Sequence, residues 1–251
     1  MPEATRDSRR SRRDPQVRER PGWLVPLAVV VLTAALGALF LAYYLAPNPT
    51  SLIEEHSSPS ARTDAVHLSI GGLSLTVPAN YLPYSSERRG GARRQVTLYA
   101  SLPDFQGYTQ AAAAEFSGNG AKSPLLYMLV REENFDVAEG AVLQRIYLND
   151  VIDRRGRPGP YGLREYVFRD DSGYRGEDLL VGRDAGGEVV MRCASPGAST
   201  IGPTCFRTMR LAQGVALNYR FTRSHLSDWR GIARGVNRLF TAFEAFHQAR
   251  R

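Results

Sequence analysis

The chain has 251 residues, of which 43% are apolar, 10% aromatic and 23% charged, and its formal net charge is +7. The apolar and aromatic content excludes an intrinsically disordered chain, and the charge content excludes a polytopic membrane protein. Two cysteines are too few for a disulfide-dense miniprotein, a four-cysteine zinc site or an iron–sulfur cluster.

The first part of the chain is rich in arginine. Residues 1–22 contain seven arginines and four acidic residues. The remainder is close to electrically balanced, so the sequence gives no support for nucleic acid as a partner. We expect residues 1–22 to form a cytoplasmic tail, because arginine-rich flanks of membrane helices stay in the cytoplasm.

An apolar segment without charged residues follows at 23–46. About 20 helical residues cross the roughly 30 Å of a bilayer's hydrocarbon core, so the segment predicts one membrane-spanning helix that binds the lipid bilayer. Trp23 and Tyr44 stand near its ends, where aromatic rings prefer the interface. The alternative, a cleaved signal peptide, has an apolar region of about 7–15 residues and is disfavoured. We therefore expect a bacterial inner-membrane protein whose larger part faces the periplasm.

Residues 47–64 contain three prolines and four serines without periodicity, which predicts a linker. The predicted periplasmic domain covers 65–251. Its first feature is a β-hairpin, because apolar and polar residues alternate over 66–70 and 73–77 around Gly71-Gly72. Two glycines allow the positive φ values of a tight hairpin turn.

The rest of the domain alternates predicted strands and helices. Runs rich in apolar residues predict strands at 96–100, 125–130, 163–168, 178–181, 188–192, 205–211 and 215–221. Apolar residues at three- and four-residue steps predict helices over 139–152 and 226–246, with Ser224 or Ser227 capping the second. Together these elements predict an α+β fold: a transmembrane helix, then a mainly antiparallel β-sheet domain with a C-terminal amphipathic helix packed on it.

The two cysteines, Cys193 and Cys205, end one predicted strand and begin the next. In an oxidising periplasm this placement predicts a disulfide across the base of the connecting loop. Two free thiols are the alternative. A redox-active pair is disfavoured, because such cysteines usually lie two residues apart at the start of a helix.

A polar cluster of Ser224, His225 and Asp228 is the only grouping of a nucleophile, a base and an acid along the chain. Adjacency in sequence is poor support for a catalytic triad, and Ser and Asp are common at helix N-termini, so helix capping is favoured. The GxSxG motif of serine hydrolases is absent, and the four histidines lack metal-ligand spacing. The sequence therefore predicts no catalytic residue, cofactor or metal.

The arginine patch Arg88, Arg89, Arg93 and Arg94 surrounds Gly90-Gly91. One interpretation is the solvated tip of a hairpin. The other is an interaction patch for anionic lipid headgroups or for an acidic protein surface.

Several short motifs occur in a characteristic order: LSLTVPANYL, SERRGG, VTLYASLPDFQGY, PGPYGLREYVF, GYRGEDLLVG and VALNYRF followed by SHLSDWRGI. In these motifs, which span most of residues 66–240, the chain resembles a set of uncharacterised alphaproteobacterial proteins with one N-terminal membrane helix and a periplasmic α+β domain. The resemblance implies that the protein is located in the inner membrane, and it implies no enzymatic activity. We expect a non-enzymatic accessory protein that binds another envelope protein; the alternative is a periplasmic hydrolase or ligand-binding domain.

Overall fold

The computed structural model describes residues 22–45, 56–118, 120–133, 139–184, 186–197 and 202–248. Most of the predicted tail and residues 47–55 of the predicted linker lie outside these ranges. The chain divides into two compact units, Met1–Glu54 and Glu55–Arg251.

The first unit contains one helix, α1 (Leu24–Leu45), within the segment predicted to span a membrane. Its side chains are apolar on every side, and the mean hydropathy over Leu24–Leu41 is 2.6. The hydroxyl of Thr33, a rare polar group in it, donates a hydrogen bond to the Val29 carbonyl at 2.9 Å. This helix is long and apolar enough to cross a bilayer, a property that anchors and signal sequences share.

The second unit confirms the α+β prediction. Its strands are β1 (Ala65–Ile70), β2 (Leu73–Pro78), β3 (Gly91–Ala92), β4 (Gln95–Ser101), β5 (Leu125–Glu132), β6 (Arg157–Pro158), β7 (Arg164–Val167), β8 (Glu177–Asp184), β9 (Gly187–Ala194), β10 (Thr204–Ala212) and β11 (Val215–Thr222). Its helices are α2 (Ala113–Ser117), α3 (Glu139–Arg145) and α4 (Trp229–Gln248).

The strands form two sheets rather than the single sheet that the sequence predicts. The larger sheet is antiparallel and has the order β4-β5-β11-β10-β9-β8-β7-β6. The smaller has the order β2-β1-β3, and its β1–β2 pair is the predicted hairpin, with Gly71 and Gly72 at φ values of 55° and 88°. Sequence periodicity identifies strands, but it does not reveal which strands pair over long separations.

One face of the large sheet is covered by a continuous apolar core, and we call it the sealed face. Side chains of β4, β5, β9 and β11 on this face pack in one cluster with the β1–β2 hairpin and with the apolar side of α4. The contact is tight at Gly182, where an added Cβ would lie 2.5 Å from Trp229 Cη2 and 2.7 Å from Leu163 Cδ2. Only glycine lets the α4 indole lie so close to the sheet.

The other face, which we call the open face, is covered at its two ends. At one end, α2 supplies Phe116, which packs on Tyr99 and Leu125. At the other end, α3 and the turn after it supply Leu143 and Leu148 to a separate cluster. Burial is the main cause that raises the pKa of Tyr99 to about 12, and the Arg88 charge opposes it.

The helix predicted over 139–152 is shorter in the structure. α3 ends at Arg145, where the Asn149 side-chain amide donates to the Arg145 carbonyl at 2.8 Å. Val151, predicted on the same helical face, instead pairs with Phe168 in an isolated β-bridge. The polar turn residues around Asn149 compete for the backbone hydrogen bonds that a longer helix would need.

The predicted C-terminal helix is confirmed from Trp229 onwards, while Arg223–Asp228 form a 3₁₀ turn before it. An ion pair fixes this turn, since Arg223 Nη1 lies 2.5 Å from Asp178 Oδ2 on β8 and also donates to the Ala194 carbonyl at 2.8 Å. This arrangement positions α4 across the sealed face.

Residues 56–64, which the sequence assigns to the linker, belong to the second unit in the structure. The Ser58 amide donates to the Pro83 carbonyl at 2.9 Å, and the Ala79 amide donates to the Asp64 carbonyl at 2.9 Å. The chain therefore enters this unit beside Pro83.

Candidate interaction surfaces

Between α3 and the middle of the open face lies a groove with a cavity volume of about 350 Å³. Its apolar lining comes from both sides and includes Val142 and Ile146 near α3 and Val190, Phe206 and Ala216 on the sheet. Ile146 remains 46% exposed, although most apolar side chains of this unit are buried. The groove therefore offers an apolar surface that no described residue covers completely.

The charged residues that line the groove are mainly basic: Arg131, Arg192 and Arg210, with Glu133. Arg131 pairs with Glu133 at 2.9 Å, so part of this charge is neutralised locally. Beside the groove, the Thr208 hydroxyl donates to Asn218 Oδ1 at 2.7 Å across two strands. Because Arg131 and Arg192 are already in ion pairs, the apolar floor is the main recognition feature of the groove, and it suits an apolar side chain of a partner.

Arg192 is held among aromatic rings at one end of the groove. Its guanidinium carbon lies 5.0 Å from the Tyr174 ring centre and 5.6 Å from those of Tyr147 and Phe206. Arg192 Nη1 also pairs with Glu177 Oε2 at 3.1 Å. Burial raises the pKa of Tyr147, while the Arg192 charge opposes that rise. Arg192 is therefore preorganised by stacking and by its carboxylate partner, as arginines at recognition sites commonly are.

The predicted disulfide between Cys193 and Cys205 is present. The two residues stand directly opposite each other in the β9–β10 register, and both are buried in the sealed-face core. The bond closes the loop between these strands, as the sequence predicts. Because it is buried in the core, its role is to stabilise the domain.

The structure separates the arginine patch into two kinds of residue. Arg88 and Arg93 turn back onto the domain: Arg88 Nη1 donates to the Leu82 carbonyl and Arg93 Nη2 donates to the Ser86 carbonyl, each at 2.7 Å. Both side chains are half-buried. They hold the segment in place instead of projecting from it.

Arg89 and Arg94 remain exposed. Arg94 Nε lies 3.7 Å from Glu132 Oε2, a surface ion pair of little energetic weight. The patch thus projects two guanidinium groups and not four, and its role in binding headgroups or a partner stays a prediction.

The hairpin-tip interpretation of this segment is wrong. Gly91–Ala92 form β3, which pairs in parallel with β1. Gly90 adopts a φ of 71°, and an added Cβ there would lie 2.7 Å from the His67 carbonyl oxygen. The glycines therefore allow this segment to lie close to β1. From the local sequence alone, glycines in such a segment look the same as glycines in a hairpin turn.

The polar cluster at the start of α4 is spread over different contacts. His225 Nε2 lies 3.1 Å from the Ser123 carbonyl, which only accepts, so Nε2 carries the donated proton. The Asp228 carboxylate lies directly over Gly231 in the first turn of α4, the place of a capping side chain. Within the described part of the chain, no hydrogen bond joins His225 to Ser224 or Asp228. Asp228 directly precedes α4, so Asp228, rather than Ser224 or Ser227, occupies the N-cap position.

Among the described residues, no group of three His, Cys, Asp or Glu side chains is placed to hold a metal ion. The groove was missed by sequence reasoning, because it combines residues from α3 and from strands far apart in the chain. The available signal was the short apolar run at α3, which has more apolar residues than one buried face requires.

No family model matches the chain, and no curated protein matches it significantly. Among solved structures, it is similar to an immunity protein of the Stenotrophomonas maltophilia type IV secretion system, with 16% identity and a TM-score of 0.50 over 72% of this chain and 93% of that one. FrpD, an iron-regulated outer membrane lipoprotein of Neisseria meningitidis, aligns with 11% identity and a TM-score of 0.47 over 75% of this chain and 97% of its own. The first likeness shows a shared fold.

Proposed function

We propose that this chain is an accessory protein of the bacterial cell envelope that binds another envelope protein through the groove. In this proposal α1 anchors it in the inner membrane, residues 1–22 stay in the cytoplasm and the second unit lies in the periplasm. It would belong with the alphaproteobacterial single-pass proteins that its motifs resemble. The observation that carries the proposal is the partly exposed apolar groove.

Three further features support this role. α1 is apolar enough to span a bilayer and is followed by a separate compact unit. That unit contains a disulfide, a bond that persists in oxidising compartments. A solved structure with the same fold is described as an immunity protein of a type IV secretion system.

The binding role is tested by co-purification of the full chain in mild detergent. Ile146→Asp places a charge in the groove, and Ile152→Asp places the same charge on a more exposed isoleucine that does not line it. We expect a specific co-purifying protein whose recovery falls at least tenfold with Ile146→Asp and less than twofold with Ile152→Asp. Loss of recovery with both variants, or with neither, would refute the groove as the binding site.

The proposed localisation and membrane topology are tested by adding protease to spheroplasts. If α1 is an uncleaved anchor, the chain fractionates with the inner membrane and the second unit is digested from outside. A soluble mature chain, or one protected in intact spheroplasts, contradicts the proposed topology.

A further inference from the structure

The outer surface of α4 carries three exposed arginines, Arg230, Arg234 and Arg238, which we call the arginine row. Their four-residue spacing places them on neighbouring turns of one side of the helix. Arg234 Nε donates to the Arg230 carbonyl at 3.3 Å, and the Arg230 guanidinium lies 4.3 Å from the Trp229 ring centre. None of the three forms an ion pair with any residue that the structure describes.

The row is unfavourable for the isolated helix. Like charges four residues apart repel each other, and here this happens twice in succession. Arg230 also lies in the first turn of α4, where the helix dipole disfavours a cation. Natural proteins keep local conflicts of this kind mainly at functional sites.

An exposed aromatic residue lies beside the start of the row. Tyr161 is 55% exposed and, although not a glycine, has a φ of 56° between Pro160 and Gly162. Trp229 Nε1 donates to the Tyr161 carbonyl at 3.2 Å, and an added Cβ at Gly162 would lie 3.6 Å from Arg230 Nη2. The core tryptophan therefore fixes a strained loop that presents a tyrosine next to the arginines.

We propose that Tyr161 and the arginine row form a second docking surface, for an acidic segment of a partner protein. Carboxylates of that segment pair with the guanidinium groups, and an apolar side chain packs on the Tyr161 ring. Tyrosine and arginine, with tryptophan, are enriched at the energetic centres of protein interfaces. This inference rests on the proposed function, since it assigns a further contact to the same protein-binding domain.

Charge complementarity and the exposed ring define the occupant. Three exposed arginines select an anionic partner, and the exposed Tyr161 ring beside them offers a contact for an apolar side chain. An acidic protein segment supplies both kinds of group, and the vesicle experiment below tests anionic lipid as the other occupant.

The probe is an alanine-based helical peptide with glutamate at every fourth position, titrated at low salt against the full chain in phosphatidylcholine nanodiscs. We expect Arg234→Gln/Arg238→Gln to weaken its binding at least tenfold. The matched control Arg175→Gln/Arg183→Gln removes two exposed arginines elsewhere and should change binding less than twofold. Tyr161→Ala should weaken binding about threefold or more, and a peptide with glutamine for glutamate should not bind.

Equal weakening by the row variant and the control variant overturns the proposal, as does binding that neither variant affects. Flotation with phosphatidylglycerol vesicles that requires the row, without peptide binding, assigns the surface to anionic lipid and also overturns it. Peptide binding that depends on the row, combined with no groove-dependent partner in co-purification, refutes the proposed function while leaving this surface intact. The two failures are therefore distinguishable.

Discussion

The two faces of the large sheet differ in how completely they are covered. On the sealed face, α4 and the β1–β2 hairpin bury one continuous apolar cluster. On the open face, α2 and α3 cover only the two ends, and the groove remains between α3 and the central strands. Among the described residues, the sheet is tightly packed on the sealed face, which stabilises the domain, and leaves a patch of apolar area exposed on the open face, which is typical of recognition surfaces.

The strongest test of this division replaces one phenylalanine on each face. Phe221, 1% exposed on the sealed face, and Phe206, half-buried on the open face, lie on neighbouring strands. We expect Phe221→Ala to lower the free energy of unfolding by about 3–5 kcal/mol, because it leaves a cavity in the core. Phe206→Ala should lower the free energy of unfolding by only about 1–2 kcal/mol. Urea denaturation measures both, and equal losses would contradict the division.

Removal of the disulfide should have the next largest effect. Closing the loop between Cys193 and Cys205 stabilises the domain by about 2–3 kcal/mol on the chain-entropy model, so Cys193→Ala/Cys205→Ala should lose this amount. Thiol titration of the unreduced, denatured wild-type chain should find no free thiol. Two reactive thiols would show that the sealed face is not cross-linked.

The smallest effect at neutral pH concerns Tyr99, under α2 at one end of the open face. Its pKa of about 12 in the folded state lies above the value near 10 expected when unfolded. The stability it contributes is therefore complete below pH 10 and is lost as the pH rises towards 12. We expect Tyr99→Phe to change the free energy of unfolding little at pH 7. At alkaline pH the variant should lose less of this free energy than the wild-type chain. Identical alkaline profiles would show that Tyr99 is not buried.

Sequence periodicity predicted most of the sealed face and little of the open one. The alternation in β1, β2, β4 and β11 and the apolar side of α4 are local patterns with the periods of strand and helix. The groove, the β3–β1 pairing and the packing of Trp229 on Gly182 join residues far apart in the chain, so no local period encodes them. The arginine row has the spacing of a solvated helix face, so the sequence alone does not identify its partner.

Site-specific photo-crosslinking in living cells tests the central claim most directly. A crosslinking residue replaces Ile146 in the groove, and the same residue replaces Ile152 outside it as the control. The account predicts one discrete crosslinked protein from position 146 that is absent or at least tenfold weaker from position 152. Equal crosslinking from both positions, or none from position 146 while the chain is folded and in the membrane fraction, would contradict it.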